Sequence, residues 1–292
     1  MLVYEALDRF LLQLEADGRS PHTVAQYRRH VRLFAGWLPT IDHSGEIEDV
    51  DDQVVARFLA SPTARETDGR AKKPGSTNAL RTSLRLLFRY LHEAGLIPVN
   101  PARLVRRAVC APPPPRALRP AEQEELLRVL GEAEGFEAER DRVLVQVLLA
   151  TGVRLSSALA LDVEDVDLEE GALLLRRVKG SRTERVLLGE GIRAVLAGFL
   201  GERTSGPVFA SRDGRRIGAR HAQRRFRAWR EKAGVPSSAT PHSCRHAFAM
   251  HLYEKTGDLL LVGRALGHRS ITSTLTYARA SESRLRAVLA NA

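Results

Sequence analysis

The stretch Leu266-Gly-His-Arg-Ser-Ile-Thr-Ser-Thr-Leu-Thr-Tyr-Ala-Arg279 places Tyr277 nine residues after His268. Two further motifs precede it, His242-Ser-Cys-Arg-His246 and, further back, Thr151-Gly-Val-Arg-Leu155. Tyrosine offers an oxygen nucleophile that is weak while protonated, because its ordinary pKa is about 10. Arginine offers a planar fork that holds two phosphate oxygens, and histidine transfers protons near neutral pH. Together these residue types suit attack on a phosphodiester.

Taken singly, each of these residues has an ordinary structural explanation. A lone tyrosine in a helical stretch is usually a core residue, and Gly267 fits a helix C-cap. Arg154 fits a capping charge at the end of an apolar helix, and Lys179-Gly180 is a common turn pair. In combination, however, these residues resemble the tyrosine recombinase (phage integrase) family, and most closely its compact Xer-type members. The resemblance lies in the order of residues along the chain, which is Arg154, Lys179, His242-x-x-Arg245, His268 and Tyr277.

The resemblance extends over nearly the whole chain and implies a role for each member of that set. Arg154 and Arg245 would clamp the scissile phosphate, while the lysine of the hairpin turn would protonate the departing 5′ oxygen. His242 would assist proton movement at the nucleophile, and His268 would bond a non-bridging phosphate oxygen. Tyr277 would be the nucleophile that forms a 3′-phosphotyrosyl link.

Two neighbouring positions qualify this interpretation. His242 and Arg245 are three residues apart and share a helix face, whereas His246 turns partly away, so a structural role is expected for His246. The family usually has glutamate where this chain has Ser157. In the family that glutamate takes no part in the chemistry itself, so its replacement by Ser157 is expected to affect the orientation of nearby groups rather than the reaction.

The composition favours a polyanionic partner. The chain has 292 residues, 45 Lys and Arg against 35 Asp and Glu, and a formal net charge of +10. Nucleic acid is the first candidate partner and an anionic membrane the second. The sequence has no apolar run long enough to span a membrane and no signal-peptide pattern. With Cys110 and Cys244 as its only cysteines, a reduced, cytoplasmic setting is expected.

Residues 1–108 read as helical, with apolar side chains at helical spacing and Ser20-Pro21 as a helix start. The resemblance implies that they form an all-α, SAM-like core-binding domain. Residues 62–75 are expected to be a polar loop that is either solvated or in contact with phosphate through Arg65, Arg70, Lys72 and Lys73. Residues 109–118 contain four consecutive prolines, which favour an extended, semi-rigid linker.

Residues 119–292 mix helices with short strands. Helices are expected over residues 120–131, 139–150, 191–200, 219–233, 242–255 and 258–266. Two strand-like runs, 172–178 and 185–188, flank the turn at Lys179. The predicted fold class is therefore mainly α with a small β-sheet, in which an all-α N-domain precedes an α+β catalytic domain of the tyrosine recombinase type.

The implied function is site-specific recombination, in which duplex DNA held in a C-shaped clamp is cleaved and rejoined through the 3′-phosphotyrosyl intermediate. Chromosome-dimer resolution and mobile-element integration or excision both fit. Four protomers, identical or paired with a paralogue, would act on paired inverted sites. A type IB topoisomerase-like enzyme shares the chemistry but reseals the same strand, and a non-catalytic architectural DNA-binding protein is the alternative outside catalysis.

Neither a metal nor another cofactor is expected. The resemblance implies that Asp162, Asp165 and Asp167 lie at a strand edge or turn and do not form a metal site. Two arginines with a lysine can supply the positive charge that a metal supplies elsewhere. At the C-terminal end, Leu285, Val288 and Leu289 form a short apolar stripe. Such a stripe packs either on its own domain or, as the resemblance implies, on an adjacent protomer.

Overall fold

The computed structural model describes residues 1–110, 116–178, 182–268 and 270–280. The chain divides into two compact units, Met1–Pro112 and Pro113–Ala292, and the division falls inside the proline-rich segment. Lys179 and the apolar stripe of Leu285, Val288 and Leu289 lie outside the described residues.

The first unit is a helical domain with one small hairpin. Its elements are α1 (Val3–Ala16), α2 (Pro21–Trp37), α3 (Asp52–Ala60), α4 (Pro62–Arg65), β1 (Glu66–Thr67), β2 (Arg70–Ala71) and α5 (Pro74–Glu93). The Ser20 side chain accepts a hydrogen bond from the Thr23 amide, so α2 begins at the predicted cap. The Phe34 ring packs edge-on against Phe58 and Phe88, which joins α2 to α3 and α5 in one aromatic core.

The expected polar loop at residues 62–75 is replaced by ordered structure. It forms the single turn of α4 and an antiparallel hairpin that pairs Glu66 with Ala71. The Lys72 ammonium donates to the carbonyl oxygens of Thr63 and Ala64, at 3.0 and 3.1 Å. This hairpin could not be predicted from the sequence pattern because its strands have only two residues each.

The second unit combines helices with a three-stranded antiparallel sheet. Its elements are α6 (Pro120–Gly131), α7 (Phe136–Thr151), α8 (Leu155–Ala160), β3 (Val166–Asp167), β4 (Ala172–Val178), β5 (Arg182–Leu187), α9 (Glu190–Leu200), α10 (Ala219–Lys232), α11 (Pro241–Thr256), α12 (Leu259–Ala265) and α13 (Leu275–Ala280). The strand order is β3-β4-β5, and Leu175 pairs with Glu184. This architecture confirms the predicted mainly α fold with a small sheet.

Helix α7 forms the centre of the second core and is tied to α10 through a buried carboxylate. Asp141 accepts hydrogen bonds from Arg225 Nε at 2.6 Å and from the Trp229 indole at 2.8 Å. The adjacent Arg140, fully buried, also bonds this carboxylate. Because a buried charge is stable only when it is paired, this network fixes the helix whose C-terminus leads into Arg154.

No described helix is both long enough and apolar enough to cross a membrane. In α10 the two faces differ in character, since Ala222, Phe226 and Trp229 are buried while Arg220, Arg224 and Arg227 are exposed. The exposed face of α10 therefore carries a row of positive charge.

Candidate active site

Arg245 holds three helices together at the centre of the site. Its side chain is 4% exposed and lies on α11, where one terminal nitrogen donates to the carbonyl oxygen of Gly152 and the other to that of Leu266, both at 2.7 Å. The two carbonyls belong to the ends of α7 and α12. A guanidinium has five N–H donors, so this anchoring leaves others for a phosphate.

The charge of Arg245 is destabilised by its surroundings. Burial, and after it the neighbouring charge of Arg154, lowers the pKa of Arg245 to about 10. Tyr277 and the Glu184 carboxylate oppose this shift. The guanidinium stays charged at neutral pH, and an incoming phosphate would relieve its unfavourable environment.

Gly152 turns the chain from α7 toward Arg154. Its φ of 63° is left-handed, and a Cβ there would overlap the ring of Phe248. Arg154 then forms the N-cap of α8, and its side chain is exposed. Within the described ranges, the side chain of Arg154 makes no hydrogen bond and no ion pair, although its charge lowers the pKa of Arg245, His242 and His268. An unpaired guanidinium thus lies beside the buried one.

His268 is fixed by the turn that follows α12. Its amide donates to the carbonyl oxygen of Gly263 at 2.9 Å, and its Nδ1 lies 2.8 Å from the Thr274 hydroxyl. Burial and the charges of Arg245 and Arg154 lower its pKa to about 4, so the ring is neutral at pH 7. When Thr274 donates to Nδ1, Nε2 carries the hydrogen that can bond a phosphate oxygen.

Tyr277 lies on α13 with its side chain 2% exposed. It packs in a small cluster with Ala249, Val262 and Leu266, and its hydroxyl lies 3.0 Å from His246 Nδ1. Burial raises the pKa of the phenol, while the charge of Arg245 acts in the opposite direction. The hydroxyl is therefore protonated at neutral pH and needs a proton acceptor before it can attack.

The placement of His246 differs from the expectation that it turns away from the site. Four residues of helix rotate the chain about 40° past a full turn, whereas three residues fall about 60° short of one. His246 therefore shares a face with His242 at least as well as Arg245 does, and the two histidine rings meet edge-on with centroids 4.5 Å apart. The i,i+4 spacing in the sequence already carried this signal.

The structure thus brings together Arg154, His242, Arg245, His268 and Tyr277, which the sequence had placed in one site. Their proximity is evident from the shared electrostatic influence of Arg154 and Arg245 on both histidines. Lys179 lies outside the described residues, but β4 and β5, which lead into and out of its turn, are present. The direct contact between His246 and the Tyr277 hydroxyl was not predicted from the sequence.

Ser157 does not bring a carboxylate to the site. It lines a cavity of about 250 Å³ together with Arg176 and Arg216. A carboxylate instead approaches from β5, where Glu184 lies against Gly267 and raises the pKa of Arg245. Negative charge thus reaches the buried arginine from the sheet rather than from α8.

The carboxylates that could suggest a metal site are engaged by the chain itself. Asp162 pairs with Arg216, and Asp165 pairs with Arg176. Asp167 accepts a hydrogen bond from the Glu170 amide at 2.8 Å. In the part of the chain that the structure describes, no group of three or more His, Cys, Asp or Glu side chains has an arrangement that could hold a metal.

Two family models match the chain. Residues 116–284 match the phage integrase family, and residues 7–95 match the SAM-like N-terminal domain of phage integrases. The matches fall on the two structural units described above.

Curated relatives and solved structures agree with this match. Tyrosine recombinase XerC of Chromobacterium violaceum is 32% identical over 94% of this chain and 89% of the relative, and tyrosine recombinase XerD of Pseudomonas putida is 32% identical over 98% and 96%. The fold is similar to XerH bound to a palindromic difH substrate (TM-score 0.76, 22% identity, 96% of this chain and 84% of that one). A lambda integrase dimer on a COC′ core site is similar too, with a TM-score of 0.74, 21% identity and coverage of 94% and 97%.

Proposed function

The chain belongs to the phage integrase family of tyrosine recombinases, and we propose that its site-specific recombination proceeds through Arg154, Lys179, His242, Arg245, His268 and Tyr277. Residues 1–108 would be the core-binding domain and residues 119–292 the catalytic domain. The observation that carries the proposal is the convergence of a buried phenol, a buried guanidinium and two neutral histidines around one point.

This arrangement suits a phosphodiester better than other substrates. Arg154 and Arg245 would hold the non-bridging oxygens, which carry the growing negative charge of the pentavalent transition state. His268 would donate a further hydrogen bond to one of these oxygens. A site with two arginines in low-dielectric surroundings stabilises this charge far more strongly than water does.

The products of the first step keep the energy of the broken bond. Tyr277 Oη forms a bond to phosphorus while the bond from phosphorus to the 5′ oxygen breaks, and Lys179 gives that oxygen a proton. Because the phosphotyrosyl ester is similar in energy to the phosphodiester, no nucleotide cofactor is required. Attack by a 5′ hydroxyl from a second duplex then completes strand exchange.

The exposed basic face of α10 supports duplex DNA as the substrate. An α-helix fits into the major groove, and arginines on its exposed face can contact phosphates or base edges. Arg220, Arg224 and Arg227 are available for these contacts, in keeping with the net charge of +10. With chromosomal DNA as substrate, the proposed location is the cytoplasm.

A covalent-adduct assay tests the proposed chemistry. On a nicked suicide substrate carrying a DNA site selected for binding from a random pool, the wild-type protein should form a protein–DNA adduct that denaturing gels resolve. Tyr277→Phe should bind the same DNA with similar affinity and form no adduct. Adduct formation by Tyr277→Phe at the wild-type level would remove Tyr277 from its role as nucleophile.

We further propose assembly of four protomers on paired inverted sites, composed of this chain alone or with a paralogue. A lambda integrase tetramer bound to a Holliday junction has a similar fold, with a TM-score of 0.74 and 21% identity. A chain that ends at Ala280 keeps Tyr277 but lacks Leu285, Val288 and Leu289. It should bind a single site and lose synapsis of two duplexes; tetramers formed as in wild type would contradict a role of this tail in assembly.

A further inference from the structure

His246 contacts the reactive atom of the proposed nucleophile. Its Nδ1 lies 3.0 Å from Tyr277 Oη, within hydrogen-bond range and correct for direct proton transfer. We propose that His246 is a catalytic residue, the general base that accepts the phenolic proton as Tyr277 attacks the phosphate. This inference rests on the proposed recombinase function and gives a residue outside the six assigned above the proton transfer at the nucleophile that the family resemblance implied for His242.

The other ionisable groups near the hydroxyl are less suitable. His242 meets the ring of His246 rather than the phenol, with ring centroids 4.5 Å apart. His268 uses its Nδ1 on Thr274. Arg245 is a cation and cannot accept a proton. Across the described residues, His246 is the side chain that hydrogen-bonds the Tyr277 hydroxyl.

His246 is held in the neutral form that a base requires. Burial, followed by the charges of His242, Arg245 and His268, lowers its pKa to about 4. At neutral pH one ring nitrogen therefore carries a lone pair. In the Nε2–H tautomer that nitrogen is Nδ1, and the phenol donates to it.

A bound phosphodiester would strengthen this base at the step that needs it. The same cations that disfavour a positive imidazole in the free protein surround the place where the phosphate is expected to bind. The negative charge of the phosphate, which grows in the transition state, would offset them and raise the pKa of His246 toward the working pH. The free protein would thus hold the nucleophile protonated, and DNA binding would activate it.

The proton balance is complete within the site. In cleavage, the bond from Tyr277 Oη to phosphorus forms, the phenolic proton moves to His246 Nδ1, and the bond to the 5′ oxygen breaks. Lys179 supplies the proton for that oxygen. In religation an incoming 5′ hydroxyl attacks the phosphotyrosyl ester, and the imidazolium of His246 returns its proton to the phenolate.

Two substitutions separate a base from a merely structural contact. His246→Asn keeps a polar group near the position of Nδ1 but cannot take the proton, and His246→Ala removes the ring. Both variants should bind a single DNA site as wild type does. Both should cleave a suicide substrate more slowly in single turnover, by roughly a hundredfold or more. If His246→Asn cleaved at close to the wild-type rate, the contact of His246 with Tyr277 would only position the phenol, and His246 would not be the base.

Chemical rescue distinguishes a general base from a positioning residue, because an added base restores the cleavage rate only if the missing side chain accepted a proton. Added imidazole should restore cleavage by His246→Ala, and substituted imidazoles should do so in the order of their basicity. A fluorinated tyrosine at position 277, whose phenol is more acidic, should also recover much of the lost rate. Lys179→Ala is the matched control, because a more acidic nucleophile does not replace a missing acid at the leaving oxygen.

The outcomes separate this inference from the proposed function. If Tyr277→Phe abolishes the adduct while His246→Ala cleaves as fast as wild type or faster, the recombinase chemistry stands and His246 is not its base. Loss of rate in His246→Ala with no recovery from imidazole or from the fluorinated phenol also overturns the base assignment. An adduct formed by Tyr277→Phe would instead overturn the function itself.

Discussion

The Glu184 carboxylate lies against the α-carbon of Gly267, the residue directly before His268. Gly267 has a left-handed φ of 62° and closes the C-terminal turn of α12. A side chain at this position would meet both backbone strain and the carboxylate. The contact therefore couples a residue of the sheet to the turn that orients His268, the histidine proposed to bond the phosphate.

Gly267→Ala should destabilise the chain and slow cleavage. A non-glycine residue in the left-handed region costs about 1 kcal/mol, and displacement of Glu184 adds to this. Gly214→Ala is the control, because Gly214 has a φ of 77° but nothing within 4 Å of an added Cβ. Thermal unfolding and single-turnover cleavage should show the larger loss in Gly267→Ala; equal losses in the two variants would mean that the Glu184 contact is unimportant.

Arg245→Lys and Arg154→Lys should differ in stability although both impair cleavage. A lysine ammonium cannot satisfy the carbonyls of both Gly152 and Leu266 in the way a guanidinium fork does. The buried unpaired acceptor should lower the free energy of unfolding by about 1–3 kcal/mol. Arg154 is exposed, so its replacement should leave urea unfolding nearly unchanged. A similar loss in both variants would contradict the anchoring role of Arg245.

Lys179→Ala should cleave ordinary DNA slowly and cleave a substrate with sulfur at the 5′ bridging position at close to the wild-type rate. A thiolate leaves without a proton, whereas an alkoxide does not. The measurement is the ratio of single-turnover rates on the two substrates for each protein. An unchanged ratio in Lys179→Ala would exclude the lysine as the general acid.

Stability in the first unit should fall in mild acid because of His30. Its Nδ1 lies 2.7 Å from the Ser83 hydroxyl, and burial, followed by Arg29 and Lys72, lowers its pKa to about 4. Between pH 6.5 and 4, the unfolded chain binds a proton at this histidine that the folded chain does not, so stability decreases as pH falls. His30→Gln should show a smaller loss of unfolding temperature between pH 7 and pH 5. A loss as large as in wild type would assign the acid sensitivity to other groups.

A chelator should leave single-turnover cleavage unchanged. The positive charge for the transition state is assigned to Arg154, Arg245 and Lys179, and Asp162 and Asp165 are paired with arginines. Inhibition by EDTA that magnesium reverses would show that a metal takes part. DNA binding itself should weaken steeply with salt, because arginine contacts to phosphate release counterions.

Much of the fold followed from local patterns that the sequence displays directly. The cap at Ser20, the apolar spacing of α5 and the apolar run of β4 before its turn each rest on neighbouring residues, so these elements were predicted. Strand β3 has two residues, too few for alternation to be recognised. The one-turn α4 and its hairpin escaped notice for the same reason.

The site could be predicted only in part, because the spacing of residues in the sequence gives their order along the chain but not the direction in which each side chain points. The set from Arg154 to Tyr277 was found through its resemblance to a family. The bond between His246 and Tyr277 depends on how α13 packs against α11, a relation between residues 31 positions apart. The approach of Glu184 to Gly267 likewise requires the sheet and the turn after α12 to be placed together.

The anchors of Arg245 are main-chain carbonyl oxygens, at Gly152 and Leu266. Every residue type provides such an oxygen, so the guanidinium is held by the course of the backbone rather than by the identity of a partner side chain. A protein engineer who redesigns the exposed arginines of α10 to change the DNA contacts proposed for them would leave these anchors intact. Under the proposed roles of α10 and Arg245, target choice and phosphate chemistry are separable, and libraries that vary the α10 arginines need not lose the anchoring of Arg245.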